Sequence, residues 1–420
     1  MERSMEYITV AGALAALRQH TPPITDTETV PVVHSLGRTL SMEVTAVQPA
    51  PPFARSAMDG YAVVSSQTPG SFRVAGQVNA GEVFTGTIKA GEAVRIMTGA
   101  PVPRGLDAVA EQEAAEPLGD LICLPHAVKA GRNVTALGSE FMAGTALLHP
   151  GQRIGPLQVG LMALAGYREV SVFRKPRVLL VSSGDELKAP GDALGPGQIY
   201  NVNVSLFSAL LHEMGAHVSL WPTLADDPSA VADLFAPDLS GYDVVLTTGG
   251  VSVGDKDRMV QFLHSHTEVL FWHVDMHPGK SIAAARHHGT TILALSGNPG
   301  AALMSWYNIG LPFLASLLHG HLPVEHIQGR LLQPFPKKTR ETRFLRARVV
   351  QEDQGTYFDT NIPQASDRIT TYDACDVLAV IPRGSEPLAA GSVVEGRKIP
   401  GLGHERLNWV PRKDVDNALQ

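Results

Sequence analysis

From Lys175 onward the chain sets out five short apolar runs, Val178 to Ser182, His217 to Trp221, Asp243 to Thr247, Val269 to His273 and Ile292 to Leu295, with helical patterns between most of them. Buried strands separated by helix-length segments satisfy their backbone hydrogen bonds as an open, mostly parallel sheet covered by helices. The alternation therefore predicts an α/β domain over residues 175–323, in which ligands bind beyond the carboxyl ends of the strands. The helical patterns are Asn203 to Met214, Ser229 to Phe235 and Lys256 to His264, followed by the apolar stretch Ala301 to Leu318. That last stretch carries Ser305, Asn308 and Pro312, so a buried helix is expected rather than a membrane span.

The grammar differs elsewhere. Over residues 53–138 short β-branched segments such as Tyr61 to Val64 and Ala93 to Met97 are cut by Gly and Pro, which predicts a small β domain. Ile8, Ala11, Leu14 and Leu17 mark a helix within Met5 to Gln19. A second helix near Leu157 to Ala165 stops at Gly166 and is expected to join the first in one discontinuous domain, residues 1–52 with 139–174. Alternating runs, including Phe344 to Val350 and Asp376 to Ile381, predict a C-terminal β domain over residues 324–405, followed by a tail at 406–420. The fold class is thus multidomain α/β plus β.

Composition narrows the partners. A net charge of −7 without a long basic run argues against nucleic acid. Two distant cysteines, Cys123 and Cys375, support neither a disulfide framework nor a thiolate metal site, and the polar opening lacks a secretory core; cytoplasmic residence without a membrane anchor is expected. The sixteen histidines lack zinc spacing and are expected to be structural or exposed.

The segment Tyr242 to Asp257 runs from a buried strand into a glycine-rich loop and then a helix. Gly249, Gly250 and Gly254 can bring backbone N–H groups close to phosphate oxygens, although a glycine turn with an Asp cap would give the same string. Asp255 and Asp257 would repel a phosphate unless a divalent cation such as Mg²⁺ lay between. Two further strand ends point to the same edge, one leading into Ser183-Gly-Asp-Glu186 and the other into Asp226-Asp-Pro228. Asp227 before Pro228 is explained as a helix cap; Asp226 has no such duty. Glu186, Asp226 and Asp257 could converge as metal ligands or as groups that position water. Lys280, in His277-Pro-Gly-Lys280, is a candidate anion contact. Residue chemistry alone reaches a metal-assisted phosphoanhydride site.

Pro52-Phe53, Ser56-Ala-Met-Asp-Gly-Tyr-Ala62, Ile96-Met-Thr-Gly-Ala-Pro-Val-Pro103, Ser183-Gly-Asp-Glu-Leu187 and Thr248-Gly-Gly-Val-Ser-Val-Gly254 with Asp257 together resemble the molybdopterin molybdenumtransferases, in order and spacing across about 400 residues. The resemblance implies four structural domains and a homodimer, with the first helix and the Leu157 region forming an elongated dimerisation domain. It implies insertion of molybdate into adenylylated molybdopterin with Mg²⁺-dependent release of AMP. The cleft would lie between the α/β domain of one subunit and the small β domain of the other. Carried over by residue, Asp59, Glu186, Asp226 and Asp257 are catalytic, the last three also holding Mg²⁺. Thr98, Ser183, Asp185, Gly249, Gly250, Ser252, Gly254, Asn298 and Pro299 bind substrate, and Lys280, Arg346 and Ser366 hold molybdate, with Arg343 an alternative to Arg346. A molybdopterin adenylyltransferase and apo-molybdoenzymes are the implied partners.

This chain departs from the family pattern in the cleft. Asn201 and Val202 stand where the family has Asp and Ser, His277 and Ser281 where it has Lys and Pro, Ser296 where it has Pro, and Ser139 in a Gly-Glu-Asp position. These changes motivate a second reading, a catalytically weakened relative that binds or delivers molybdopterin or its cofactor.

Overall fold

The computed structural model describes residues 7–251, 258–320 and 325–398. The chain divides into two compact units, one containing the described residues of Met1–Asp26 and Phe173–Gln420, the other Thr27–Val172.

In the first unit the elements in chain order are α1 (Val10–His20), β1 (Arg177–Ser182), α2 (Val202–Glu213), β2 (His217–Leu220), α3 (Pro228–Phe235), β3 (Val244–Thr248), α4 (Arg258–His266), β4 (Glu268–Trp272), β5 (Ala283–His287), β6 (Thr290–Leu295) and α5 (Pro299–Ser305). They build a six-stranded sheet in the order β2-β1-β3-β6-β5-β4. The first four strands run parallel, while β5 and β4 are antiparallel additions.

Side-chain alternation explains the layers. Val178, Leu180, Val244, Leu246, Leu293 and Leu295 pack on one face with Ala13 and Leu17 of α1 and Phe207 and Leu211 of α2. Leu179, Val181, Val245, Ile292 and Ala294 pack on the other with Val231, Leu234 and Phe235 of α3 and Met259 and Leu263 of α4. Strands apolar at every position are what a sheet covered on both faces requires.

The sheet corrects two expectations. Val269 to His273 belongs to an antiparallel edge strand, not a parallel one, and β5 lies beside it unforeseen. The cause is local: Ala283-Ala-Ala-Arg-His287 lacks β-branched residues, and the two-residue turn to β6, His288-Gly289, has positive φ at both positions (46° and 92°). Such primed turns are usually announced by Asn-Gly or Asp-Gly. The first helix also sits differently from its expected grouping: Thr9 caps it through Gly12, and its buried face belongs to the α/β core. The second unit runs unbroken from Thr27 to Val172, holding residues 27–52 and 139–172 together with 53–138, and its helix spans Pro156–Leu164.

The apolar stretch after β6 is buried helix, interrupted by a π turn at Trp306–Gly310 just before Pro312. Proline cannot donate its backbone N–H, and a widened turn is one way to accommodate that loss. No helix among the described residues is long and apolar enough to cross a membrane.

Beyond it, Glu325–Leu331, Arg343–Glu352, Gly355–Asp359, Val377–Ile381 and Val393–Lys398 close a five-stranded barrel. Phe358 fills its core because Gly329 and Gly396 leave room: a Cβ at either would stand 2.6 or 2.5 Å from the ring. In the second unit, Gly60–Val63, Gly70–Val78, Glu92–Ile96, Ala108–Glu111, Glu116–Leu118 and Leu121–Leu124 form a six-stranded mixed sheet.

Candidate functional site

Parallel pairing continues past the formal ends of β1, β2 and β3 and carries their loops to one edge. Leu224 N donates to Ser182 O (2.8 Å), Gly184 N to Leu224 O (3.0 Å), Ser183 N to Thr248 O (3.1 Å) and Gly249 N to Leu295 O (3.0 Å). The edge is tight. A Cβ on Gly249, whose φ is +93°, would meet Ser183 Oγ at 2.7 Å and its carbonyl oxygen at 2.8 Å. Gly250 follows at φ +71°, so the turn exposes backbone where a side chain would otherwise stand.

A cavity of about 350 Å³ opens there, lined by Ser183, Glu186, Asp226, Gly249, Gly250 and Asn298 among others. A second, of about 430 Å³, shares Ser183 and Glu186 with it and extends along Leu187, Ile199, Tyr200 and Val202. The Asp226 amide donates to Asp185 Oδ1 (3.2 Å), which ties the β1 and β2 loops together. Partial burial, then the charges of Asp185 and Glu186, hold the Asp226 carboxyl above its ordinary range despite that bond. Asp227 caps α3 by accepting from Ser229 N (2.8 Å), with Pro228 at the first helical position.

Among the described residues no three His, Cys, Asp or Glu side chains form a metal-holding group. Glu186 and Asp226 share a cavity; Asp257, Ser252 and Gly254 lie outside the described residues.

The substituted positions have visible duties. Asn201 caps α2 by accepting from Val204 N (3.2 Å) and donates Nδ2 to Ser182 Oγ (2.7 Å). At two unsubstituted positions, Asn298 donates Nδ2 to Ser366 Oγ (3.3 Å) and Pro299 opens α5.

His277 joins the α/β region to the barrel: its amide donates to Thr342 O (2.8 Å) and its carbonyl accepts from Phe344 N (3.0 Å). Partial desolvation, then Arg343, keeps its imidazole below the ordinary pKa, so it is uncharged at neutral pH. Lys280 lies 3.9 Å from Glu341 and over the Tyr7 ring at 4.2 Å. Arg346 is only 1% exposed, and its guanidinium donates to Ala365 O (3.0 Å) and Arg368 O (3.3 Å). It shapes the loop carrying Ser366. Arg343, beside His277 and named above as the alternative to Arg346, is partly exposed.

His273 is 4% exposed, and burial followed by Lys280 lowers its pKa. With the folded value below the unfolded one, the unfolded chain takes up the proton first; stability is lost as pH falls from about 6.5 through the folded value. The urea midpoint should therefore drop between pH 7 and pH 5, and less so in His273→Asn, since Asn tolerates the local φ of +66°. An identical drop in the variant would exclude His273 as a source.

In the second unit Asp59 Oδ1 accepts from Thr98 N and Thr98 Oγ1, both at 2.7 Å. Those bonds hold the Asp59 carboxyl below its usual range. The two loops interlock through Ser56 and the 99–100 turn: Gly99 N donates to Ser56 O (2.8 Å) and Ser56 N to Ala100 O (2.9 Å).

Comparison with known proteins accounts for nearly the whole chain. Residues 8–166 match the family described as MoeA N-terminal region (domain I and II), 180–316 the probable molybdopterin binding domain, and 328–396 the MoeA C-terminal region (domain IV). The molybdopterin molybdenumtransferase of Staphylococcus aureus (strain Mu50) is 31% identical over 377 residues, covering 87% of this chain and 90% of that one. That of Staphylococcus epidermidis (strain ATCC 12228) is 31% identical over 373 residues, covering 86% and 88%. Two solved structures of the molybdopterin biosynthesis MoeA protein from Pyrococcus horikoshii superpose with TM-scores of 0.81 and 0.76, at 27% and 24% identity. Each covers 94% of this chain, and 99% and 100% of the solved chains are covered in turn; the second supports the fold alone.

Proposed function

Because the chain belongs to the molybdopterin molybdenumtransferase family and is a transferase of molybdenum cofactor synthesis, we propose that it inserts molybdate into adenylylated molybdopterin, with release of AMP, at the carboxyl edge of the α/β sheet. The observation that carries this reading is the meeting of Glu186, Asp226 and the Gly249–Gly250 turn in one cavity.

The donor set fits Mg²⁺: Asp226, whose pKa is raised by partial desolvation and then by the charges of Asp185 and Glu186, shares the cavity with Glu186, and hard oxygen ligands suit that ion. Glu186 and Asp226 would hold it, with Asp257 as the third ligand inferred from sequence. Bound there, it would offset phosphate charge. The glycine turn admits a phosphate close to the backbone. Asp226 would also help position the water that breaks the bond to AMP. Asp59 stays ionised under its two Thr98 bonds and offers a fixed charge. Lys280 and Arg343 supply the cationic side for molybdate, with Ser366 held nearby by Asn298.

The reading extends to a cytoplasmic homodimer whose cleft is shared between the α/β region of one subunit and the small β region of the other. A molybdopterin adenylyltransferase would supply its substrate and apo-molybdoenzymes would take its product. Purified protein given adenylylated molybdopterin, Mg²⁺ and molybdate should release AMP and yield active cofactor, and a tungstate arm would define oxyanion preference. No AMP, with a working homologue as control, would overturn turnover; pterin binding without AMP would support the delivery reading instead.

A further inference from the structure

In the second unit Arg95 carries the one buried side-chain polar atom that lacks a hydrogen-bond partner among the described residues. Arg95 sits in the strand Glu92–Ile96, between Tyr61 of the neighbouring strand and Gln77 on its other side. Its strand neighbours Val94 and Ile96 pack into one face of the sheet, and Ala93 into the face that also receives Tyr61. Alternation therefore puts Arg95 on the Tyr61 face, partly exposed. Its Nε is buried and has no hydrogen-bond partner among the described residues. No ion pair engages it there either.

Asp59 is near enough for Arg95 to act on its charge, but the bound carboxylate oxygen, Oδ1, is already committed to Thr98 twice. A guanidinium edge buried at Nε without a protein acceptor is costly to keep, and an acceptor brought by a ligand would satisfy it. The planar fork of arginine matches phosphate oxygens in a bidentate manner that an ammonium cannot reproduce. Asp59 with its Thr98 bonds would exclude an approach from its own side by charge, leaving the guanidinium edge as the face open to an anion.

Resting on the reading of Asp59 as catalytic and Thr98 as substrate-binding, we propose that Arg95 is a substrate-binding residue of the small β unit that holds a phosphate group of the adenylylated substrate. The role is distinct from those of Lys280 and Arg343, which lie in the other unit.

Two measurements on the full chain test it. In AMP-release assays Arg95→Ala should raise KM for the adenylylated substrate about tenfold or more, a loss on the scale of a charged hydrogen bond, with kcat falling less than KM rises. Arg95→Lys should give a smaller KM increase, since charge survives without the fork. In titration calorimetry with inorganic pyrophosphate, wild-type protein should bind and Arg95→Ala should bind more weakly. Equal pyrophosphate affinity in a folded Arg95→Ala, or in Arg95→Gln should the alanine variant not fold, would overturn the proposal. So would a wild-type chain that fails to bind pyrophosphate, or a collapse of kcat at unchanged KM, which would mean Arg95 acts through Asp59. If wild-type protein binds pyrophosphate but releases no AMP, the transferase reading fails and the Arg95 assignment stands on the calorimetry.

Discussion

Asp226→Asn should lower the rate of AMP release roughly 100- to 1,000-fold, the scale of losing one electrostatic contact to developing charge, while unfolding stays within about 0.5 kcal/mol of wild type. The two effects separate because of where the carboxylate sits. Asp226 is exposed, and the bond that anchors its loop uses its backbone amide, donated to Asp185, rather than its side chain. Partial desolvation, then the neighbouring Asp185 and Glu186, disfavours its charge, so removing that charge relieves repulsion in the folded state. Activity and stability should therefore respond differently, which a folding defect cannot mimic. Calorimetry with Mg²⁺ gives a second readout: weaker binding in the variant is expected. A variant with wild-type AMP release would remove Asp226 from the chemistry.

The largest stability effect is expected at Trp306→Ala, about 3–5 kcal/mol by the cost of emptying a large aromatic site. Trp306 is fully buried in the π turn, meets Phe207 edge-on at 5.6 Å between centroids, and lies against Gly310, where a Cβ would stand 2.7 Å from the ring. Its indole N–H is buried without a partner among the described residues. Trp306→Phe removes that orphan donor and keeps most of the volume, so it should cost much less. Chemical denaturation followed by far-ultraviolet circular dichroism measures both; near-equal losses would mean ring volume is not what holds the helix here.

What could be seen from sequence followed from how local each signal is. Strand tips such as Ser182-Ser183-Gly184 and Thr248-Gly249 were legible because an apolar run and its turn residues adjoin in the chain. The β5–β6 hairpin was not, since alanines and a His-Gly turn resemble neither a strand nor its usual connector. The partner of α1 was hidden for a different reason: an apolar stripe states that a face is buried, not against which element. At the site, Glu186 and Asp226 could be paired because the strand ends that carry them are neighbours in a parallel sheet. The burial of Arg346 could not be foreseen, because it depends on carbonyls of a loop about twenty residues further on. Arg95 gave no sequence signal beyond an ordinary charged position in a strand; its lack of an acceptor is visible only in three dimensions.

The short parallel bridge at His277 sets a rule for anyone recombining this protein with a relative. Thr342 and Phe344 grip that residue from either side of Arg343, and Glu341 faces Lys280 three positions further on. A chimaera that exchanges the barrel and cuts the chain between the helix after β6 and residue 341 brings a foreign clasp to a native loop, so the Pro278-Gly279-Lys280 segment inherits its register from the donor. Keeping residues 341–344 native inside an exchanged barrel leaves clasp and loop from one parent.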